Sequence, residues 1–368
     1  GGTSIMAIID KPSDYFNTVL YTGNNSSQAI TGVGFQPDFT WLKSRTGTYG
    51  AYNPQAYDSV RGAGSTKDLT PASTAVEGVD SGEFGYISAF GSDGFTLGAG
   101  STNSHQNNGA STTYVSWNWK AGTSFTNDAS ATGIGSIDST GSFNNDSGFS
   151  IVSYTGTGSA GSIKHGMNIA PKMVIVKSRS GTGEWITWHT GINIQAKLSL
   201  NTTDAIYNPG SGIYWNSTLP TSSVFSVGTS GSVSGNGTTY IAYCFADTSM
   251  SKMGSYTGNG STDGPFIYTG FKPAWFMIKR TNANSYWTIF DNKRSSSGGS
   301  NEIDYSLDAN VSNAEETGTS VNDVDFLSNG IKIREDNGDL NSSGSTIIYM
   351  AFAENPLVAS NFVPTTAR

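Results

Sequence analysis

Hydrophobic and polar positions alternate with a period of two along most of the chain, and turn residues separate the runs. The run 240–245 reads Tyr-Ile-Ala-Tyr-Cys-Phe and is apolar at both parities. Such a pattern indicates a strand that is buried on both faces. No segment keeps a 3.6-residue period for more than two turns, and turn signals recur every eight to twelve residues or so. The pattern predicts an all-β protein.

One motif occurs three times in the sequence: a Tyr-Thr-Gly triplet, then a proline 16 or 17 residues after the tyrosine, then a lysine six residues after the proline. The three sets are Tyr21, Pro37 and Lys43; Tyr154, Pro171 and Lys177; Tyr256, Pro273 and Lys279. Each set is followed by an aromatic-rich closing run, at 114–119, 240–245 and 347–352. A spacing that recurs in this way predicts three copies of one structural unit of about a hundred residues.

We therefore predict three tandem β-sandwich repeats, lectin-like or jelly-roll-like. The expected segments are an N-terminal segment 1–14, a first repeat 15–122, a Ser/Thr/Gly-rich connector 123–148, a second repeat 149–247, a third repeat 253–355 and a C-terminal tail 356–368. The second and third repeats are joined by a short link, so we expect them to abut as one rigid rod. The first repeat, with its long connector and its insert 46–79, is expected to sit at a different angle.

Composition narrows the class of protein. The chain has 368 residues, of which 13% are charged, 12% are aromatic and 46 are glycine. Clustered aromatic residues argue against disorder. A net charge of −8 argues against a nucleic-acid partner, which needs a basic face. No run approaches the length of a membrane span, so no membrane insertion is expected. The single cysteine, Cys244, falls within an apolar strand and is expected to be buried and unreactive.

The sequence offers little catalytic or metal-binding chemistry. The segment 156–161 matches G-x-G-x-x-G, but no helical pattern follows it, so a dinucleotide site is not expected. The three histidines lack ligand spacing, and the acidic turn 334–339 is explained by an Asn-Gly turn better than by calcium binding. Carboxylates are the remaining acid–base candidates, and solvated strand-edge charges are the preferred interpretation of them: Glu184, Asp204, Asp291, Glu302, Asp304 and Asp308. We expect no enzyme, no cofactor and no metal.

Aromatic residues in predicted loops are the candidate binding residues. They are Tyr49, Tyr52, Tyr57, Tyr207, Tyr214 and Trp215. Rings beside Asn and Ser can stack on sugars, and the same residues can anchor a protein interface. The interface interpretation is preferred, because three repeats must pack somewhere.

Several motifs carry a resemblance to a known group of proteins. The opening segment with Asp-Lys-Pro-Ser-Asp-Tyr-Phe at 10–16, the run 30–43, Ser-Trp-Asn-Trp-Lys-Ala-Gly at 116–122, the run 169–177 and Tyr-Met-Ala-Phe-Ala-Glu at 349–354 are similar to those of repeat-containing β-rich structural proteins of tailed, often aquatic, bacteriophages. The resemblance covers nearly the whole chain. It implies a virion component with a lectin-like fold, tail-fibre-like or decorating the particle, and it supplies no catalytic residues.

The resemblance also implies a location on the virion surface. The expected partners are other virion proteins and copies of the chain itself, with a trimer by analogy to phage fibres. A host surface glycan is a further candidate partner. A carbohydrate-binding, lectin-like module protein is the alternative function. A glycan-degrading enzyme is the third hypothesis, which the missing carboxylate constellation disfavours.

Overall fold

The structure is a computed structural model that describes residues 8–46, 52–296, 301–318, 322–361 and 363. These residues form antiparallel strands almost throughout, which confirms the predicted all-β class. The helices in the described ranges are one-turn elements: a 3₁₀ turn at Pro12–Asp14, α1 (Ala129–Thr132), α2 (Gly231–Ser234) and α3 (Gly338–Asn341).

The first main sheet has the strand order β1-β7-β3-β4, and a smaller sheet of order β2-β6-β5 belongs to the same stretch of chain. Apolar side chains of both sheets meet between them, including those of Ile30, Leu42 and Leu97. The strands are β1 (Phe16–Thr22), β2 (Gln28–Thr31), β3 (Phe39–Thr46), β4 (Gln55–Asp58), β5 (Tyr86–Gly91), β6 (Gly94–Gly98) and β7 (Thr113–Trp119).

The second main sheet has the order β14-β13-β12-β16-β10-β9-β8, and β11 pairs with β15 in a separate ribbon. Its strands are β8 (Thr123–Asn127), β9 (Ser139–Asn144), β10 (Phe149–Thr155), β11 (Gly161–Lys164), β12 (Met173–Ser178), β13 (Ile186–His189), β14 (Leu198–Ser199), β15 (Val224–Val227) and β16 (Thr239–Phe245). The segment 123–148, expected to be a connector, thus supplies two strands to this sheet.

The third main sheet has the order β17-β26-β19-β20-β22-β23, beside a smaller sheet of order β18-β25-β24-β21. Its strands are β17 (Ser251–Thr257), β18 (Phe266–Tyr268), β19 (Phe271–Arg280), β20 (Thr288–Asp291), β21 (Glu302–Ile303), β22 (Tyr305–Asp308), β23 (Glu316–Thr317), β24 (Val324–Leu327), β25 (Gly330–Ile333) and β26 (Thr346–Pro356). The last strand extends to Pro356, which was expected to begin the tail.

The three main sheets share one central strand order. In each main sheet the strand that carries the tyrosine of the triplet pairs with the closing strand. The closing strand pairs with the strand that ends at or near the lysine of the motif, and that strand pairs with the next one along the chain: β1-β7-β3-β4, β10-β16-β12-β13 and β17-β26-β19-β20. The registers agree as well, since Tyr21 is paired with Tyr114, Tyr154 with Tyr240 and Tyr256 with Ile347.

The Tyr-Thr-Gly triplet has a physical explanation in each main sheet. A Cβ atom on the glycine would lie 2.3–2.4 Å from a backbone oxygen of the loop before the closing strand, so no side chain fits at Gly23, Gly156 or Gly258. The tyrosine hydroxyl donates to a backbone carbonyl of the same loop: Tyr21 to Asn107 at 2.7 Å, Tyr154 to Val233 at 2.7 Å and Tyr256 to Leu340 at 2.6 Å. The triplet therefore fixes this loop against the first strand.

The main sheets pack around one shared aromatic core. Trp119, Phe245 and Phe352 come from the three closing strands, and their ring centroids form a triangle with sides of 6.3, 5.7 and 6.2 Å. Aromatic pairs at these separations contribute beyond their buried area. All three sheets supply buried residues to this single cluster. The molecule is thus a closed arrangement of three sheets rather than a row of independent cores.

Three buried lysines join each main sheet to the next. The Lys43 ammonium donates to the carbonyls of Ser312 and Asn313 at 3.2 and 2.8 Å. Lys177 donates to the Thr74 carbonyl at 3.3 Å, and Lys279 donates to the Thr203 carbonyl at 2.8 Å. The lysine of the first sheet therefore binds the backbone of the third, that of the second binds the first, and that of the third binds the second. These contacts define three seams, which we number first (first and second sheets), second (second and third) and third (third and first).

Buried ion pairs occupy equivalent places at two of the seams. At the first seam Asp58 is paired with Arg61 and accepts a hydrogen bond of 2.7 Å from the Tyr243 hydroxyl. At the third seam Asp291 is paired with Arg294 at 2.6 Å and accepts one of 2.9 Å from the Trp117 indole. A glutamate extends each pair across its seam: Glu77 binds Arg179 at the first, and Glu315 binds Arg45 at 2.8 Å at the third.

The second seam is built differently. His189 stands at the register position of Asp58 and Asp291, and its Nε2 lies 3.0 Å from the Tyr349 carbonyl. Ile206 and Thr281 are joined by a backbone hydrogen bond of 2.8 Å, where the other seams have their glutamate and arginine.

The expectation of a rod made from the second and third repeats, with the first repeat set apart, is wrong. The first main sheet contacts both others through the shared core and through Lys43, Lys177 and the ion pairs. The insert 46–79 supplies β4 and two residues of the first seam. The Thr74 carbonyl accepts from Lys177, and Glu77 pairs with Arg179. The short link between the second and third repeats requires those two to lie close together, but it does not show that the first sheet packs against both of them.

Candidate functional site

A cleft of about 590 Å³ lies on the flank of the second main sheet, near the second seam. It is formed by β14, the segment before β13 and the loop that follows β14. Its wall consists of two tyrosines, an ion pair, an exposed carboxylate and small side chains: Glu184, Lys197, Leu198, Ser199, Asp204, Ala205, Ile206, Tyr207, Tyr214 and Ser232. The volume falls in the range of about 300–1,000 Å³ that is typical of small-molecule sites.

An ion pair is fixed in one wall of the cleft. Lys197 forms a salt bridge with Glu184 and donates to the Ser199 hydroxyl at 2.7 Å. Ser199 in turn donates to Glu184 at 2.7 Å. Burial by itself would raise the pKa of Glu184, but the hydrogen bonds from Lys197 and Ser199 outweigh it and lower the pKa below its usual value. The carboxylate is therefore ionised and held in one orientation at neutral pH.

Two tyrosines of the cleft wall lie next to this ion pair. The rings of Tyr207 and Tyr214 meet edge to face at 6.4 Å, and the Lys197 ammonium lies 5.9 Å from the first ring and 5.8 Å from the second. Tyr207 remains 52% exposed. Burial, followed by the neighbouring Tyr207 and Glu184, raises the pKa of the half-buried Tyr214. The lysine and Tyr214 thus hold Tyr207 in place while its ring stays open to solvent.

The fold does not require these side chains. A backbone hydrogen bond of 3.0 Å from Tyr207 to Lys197 fixes the loop, and the first main sheet has the same contact from Gly78 to Asp68 at 2.9 Å. In the third main sheet the matching pair is Ser306 with Glu316. One backbone arrangement therefore carries three different side-chain pairs, and the tyrosine and lysine are particular to the second sheet.

The structure divides the six predicted binding aromatics. It brings Tyr207 and Tyr214 together in the cleft. Trp215 lies in a loop, as predicted, but it is buried, and its indole donates to the Ala196 carbonyl at 3.0 Å, so its ring is not open to a ligand. Tyr57 was also assigned to a loop, yet it lies on strand β4 and is fully buried between the first main sheet and the smaller sheet beside it.

The remaining two predicted aromatics lie far from the cleft in sequence. Tyr52 is half-buried; its carbonyl accepts a hydrogen bond of 2.7 Å from Lys43, and its hydroxyl lies 2.9 Å from His105 Nδ1. Its backbone therefore serves the Lys43 contact. Tyr49 lies outside the described residues.

The carboxylate candidates separate in a similar way. Glu184 and Asp204 line the cleft, although no sequence motif groups them with the tyrosines. Asp291 belongs to the third seam, and Asp308 is buried, with its carboxylate accepting from Thr288 at 3.0 Å. Lys197 is the cleft residue that sequence reasoning missed. Its place in a run of alternating polarity, directly before β14, gives no sign that its ammonium lies between a glutamate and two rings.

Other candidate chemistry is not supported as a site. Among the described residues, no three His, Cys, Asp or Glu side chains are grouped so that they could hold a metal ion. Cys244 is buried as expected, and burial raises the pKa of its thiol. Within the described ranges, no helix has the length and the apolar sequence that crossing a membrane requires.

Comparison with known proteins gives a family but no function. Among curated proteins, none is similar enough to the chain to count as a relative. The sequence model of one family matches residues 11–356, a span that includes all three main sheets and the cleft. The chain therefore belongs to the family described as "Domain of unknown function (DUF7483)".

Proposed function

We propose that the protein is a non-enzymatic structural protein of a bacteriophage particle, exposed on the particle surface in tail-fibre-type host adhesion or in decoration of the capsid or tail. The observation that carries the proposal is the closure of three sheets around one core, locked by Lys43, Lys177 and Lys279. Such a closed body suits a rigid structural role. The resemblance of the repeated motifs to phage β-rich proteins supplies the location.

A non-enzymatic role is supported by the chemistry of the cleft. A glycan-degrading enzyme needs a carboxylic acid that holds a proton near neutral pH, together with a second carboxylate. The carboxyl of Glu184 has a lowered pKa and is bound by Lys197 and Ser199. Its environment favours the charged form, which is the opposite of what a proton donor requires.

The shared strand order supports the division into three repeats, at 15–122, 149–247 and 253–355. We propose that the repeated body assembles with copies of itself, as a trimer by analogy, and with other virion proteins. Charged residues make up only 13% of the chain, so contacts between copies would rely on hydrogen bonds and aromatic anchors. Such an assembly depends weakly on salt. Sedimentation at low and high salt should show an oligomer at both, and a monomer at every concentration contradicts this proposal.

The second candidate function is carbohydrate binding by a lectin-like module. The observation that favours it is the cleft at Tyr207 and Tyr214, which an exposed ring lines together with the fixed carboxylate of Glu184 and the exposed one of Asp204. Both functions can belong to one protein, since adhesion requires a ligand on the host.

The location is tested on purified phage particles that carry the gene. An antibody to the purified protein should label intact particles at regular positions in electron micrographs, and mass spectrometry should find the chain at a fixed ratio to the major capsid protein. A chain that is made during infection but is absent from washed particles contradicts the structural role.

A further inference from the structure

We propose that the cleft at Tyr207 and Tyr214 binds an uncharged sugar, with the apolar face of one sugar ring stacked on Tyr207 and its hydroxyls bonded to Glu184 and Asp204. This inference deepens the carbohydrate-binding function and rests on the proposed role of the protein at the particle surface. It assigns the ligand class and the residues that select it.

The aromatic platform is held in position before any ligand arrives. Tyr207 is 52% exposed, yet its ring meets that of Tyr214 edge to face and lies 5.9 Å from the Lys197 ammonium. A side chain that is fixed in the free protein loses little conformational entropy on binding. The matching positions, Gly78 and Glu316, show that the backbone tolerates residues without a ring. An exposed tyrosine here is therefore explained by a ligand better than by folding.

The polar groups of the cleft match the hydroxyls of a sugar. Glu184 is fixed by Lys197 and Ser199, and Asp204 is exposed at the same cleft. Ionised carboxylates accept strong hydrogen bonds, and hydroxyl groups donate them. An aromatic face beside two acceptors is thus complementary to the apolar face and the polar rim of a pyranose.

The charge of the cleft decides between neutral and acidic sugars. The lining of the cleft includes two carboxylates, on Glu184 and Asp204, and one ammonium, on Lys197, which is already bound to Glu184. The ammonium that acts on Asp204 from outside the lining, that of Lys279, is bound to the carbonyls of Thr203 and Ser285. A uronic acid or a sialic acid would bring a further negative charge beside these carboxylates, and like charges in a partly buried site repel. We therefore infer a preference for neutral hexose units.

The test uses the full chain and saturation-transfer NMR with three probes: a neutral hexose oligosaccharide mixture, a polyuronate oligosaccharide and a sialylated oligosaccharide. We expect transfer to ring protons of a neutral sugar and at least tenfold weaker binding of the two acidic probes. The variant Tyr207→Ala should weaken neutral-sugar binding by tenfold or more. The matched control is Tyr268→Ala, which removes a tyrosine that is 61% exposed on the third sheet's smaller partner, and it should leave binding unchanged.

Each contrary result has a definite meaning. Binding that survives Tyr207→Ala, or that falls equally in Tyr268→Ala, overturns the assignment of the cleft. Equal binding of acidic probes overturns the charge argument. Absence of binding to every probe at millimolar sugar overturns the inference, while the antibody labelling of particles described above still decides the structural role separately. Circular dichroism of both variants verifies that the fold is intact.

Discussion

At the scale of single residues, the histidine at the second seam has a fixed protonation state. The Nε2 atom of His189 lies 3.0 Å from the Tyr349 carbonyl and therefore carries the hydrogen. Its Nδ1 accepts a hydrogen bond of 2.9 Å from the Gly191 backbone amide. A proton on Nδ1 would point at that amide, so the geometry admits only the neutral ring. Burial lowers the pKa of His189 to about 4.

This state makes the second seam sensitive to acid. The unfolded chain binds a proton at its ordinary pKa of 6.5, whereas the folded chain binds it only near 4. Stability from His189 is therefore present above the unfolded pKa and is lost as the pH falls toward the folded one, by about 2 kcal/mol between about pH 7 and pH 5. The variant His189→Gln keeps a donor for Tyr349 but does not titrate. Urea unfolding at both pH values should show a smaller acid loss in the variant, and equal losses in both proteins would contradict this assignment.

The same scale shows what the sequence could reveal about individual residues. The spacing from Tyr to Pro to Lys was visible, and the structure gives the tyrosine, the glycine and the lysine of each set a common role. The burial of Trp215 and Tyr57 could not be predicted from the sequence. A tryptophan in a Gly-rich loop has the same local sequence pattern whether its indole faces solvent or donates to a carbonyl, as that of Trp215 does. Burial depends on which distant segment covers the residue.

At the scale of elements, the seams combine apolar packing with buried charges. Arg294 is fully buried between Asp291, at 2.6 Å, and Glu315, at 3.0 Å. Burial opposes its charge, but the two carboxylates outweigh that effect and raise the pKa of Arg294. The arginine therefore remains charged, and it neutralises two acids that have little access to water.

Removal of this arginine should be costly. Arg294→Met leaves Asp291 and Glu315 facing each other in a buried seam, and breaking a buried pair in this way costs about 3–5 kcal/mol. The matched control is Arg334→Met, since Arg334 pairs with Asp325 but its side chain is 43% exposed. An exposed pair contributes about 0–1 kcal/mol. The urea midpoint, relative to that of the parent protein, should therefore fall much further in Arg294→Met than in Arg334→Met. A similar small shift in both variants would contradict the importance of Arg294 for the seam.

Element positions were largely predictable and seam contacts were not. The closing runs identified in the sequence at 114–119, 240–245 and 347–352 each lie within a single strand, β7, β16 and β26. Alternation of apolar residues is a local signal, so it survives in the sequence. The pairing of Lys279 with the Thr203 carbonyl joins segments 76 residues apart and leaves no local pattern.

At the scale of the whole molecule, the shared core predicts cooperative unfolding. If any one sheet unfolds, the triangle of Trp119, Phe245 and Phe352 loses one ring, and the rings of the other two sheets each lose one of their two partners. We therefore expect one calorimetric transition, with equal calorimetric and van't Hoff enthalpies. The isolated segment 149–247 should remain unfolded, because its inner face would be left open. Two or three separate transitions, or a folded fragment, would contradict the shared core.

The meeting of the first and last described segments has a consequence for chain order. Ser360 donates to Asp10 through its backbone amide at 2.6 Å and through its hydroxyl at 2.5 Å. The first and last described segments are therefore in contact, although they are far apart in sequence. A circular permutant that joins these segments by a short linker and opens between Gly122 and Thr123, both exposed, keeps every seam intact. The melting temperature of this permutant should lie within a few degrees of that of the parent protein. A permutant opened between Ile175 and Val176, inside β12, should not fold. If the permutant opened between Gly122 and Thr123 also fails to fold, the order in which the sheets are synthesised, rather than their closure around the shared core, determines folding. If it folds, the closure of the three sheets does not depend on where the chain is opened between them.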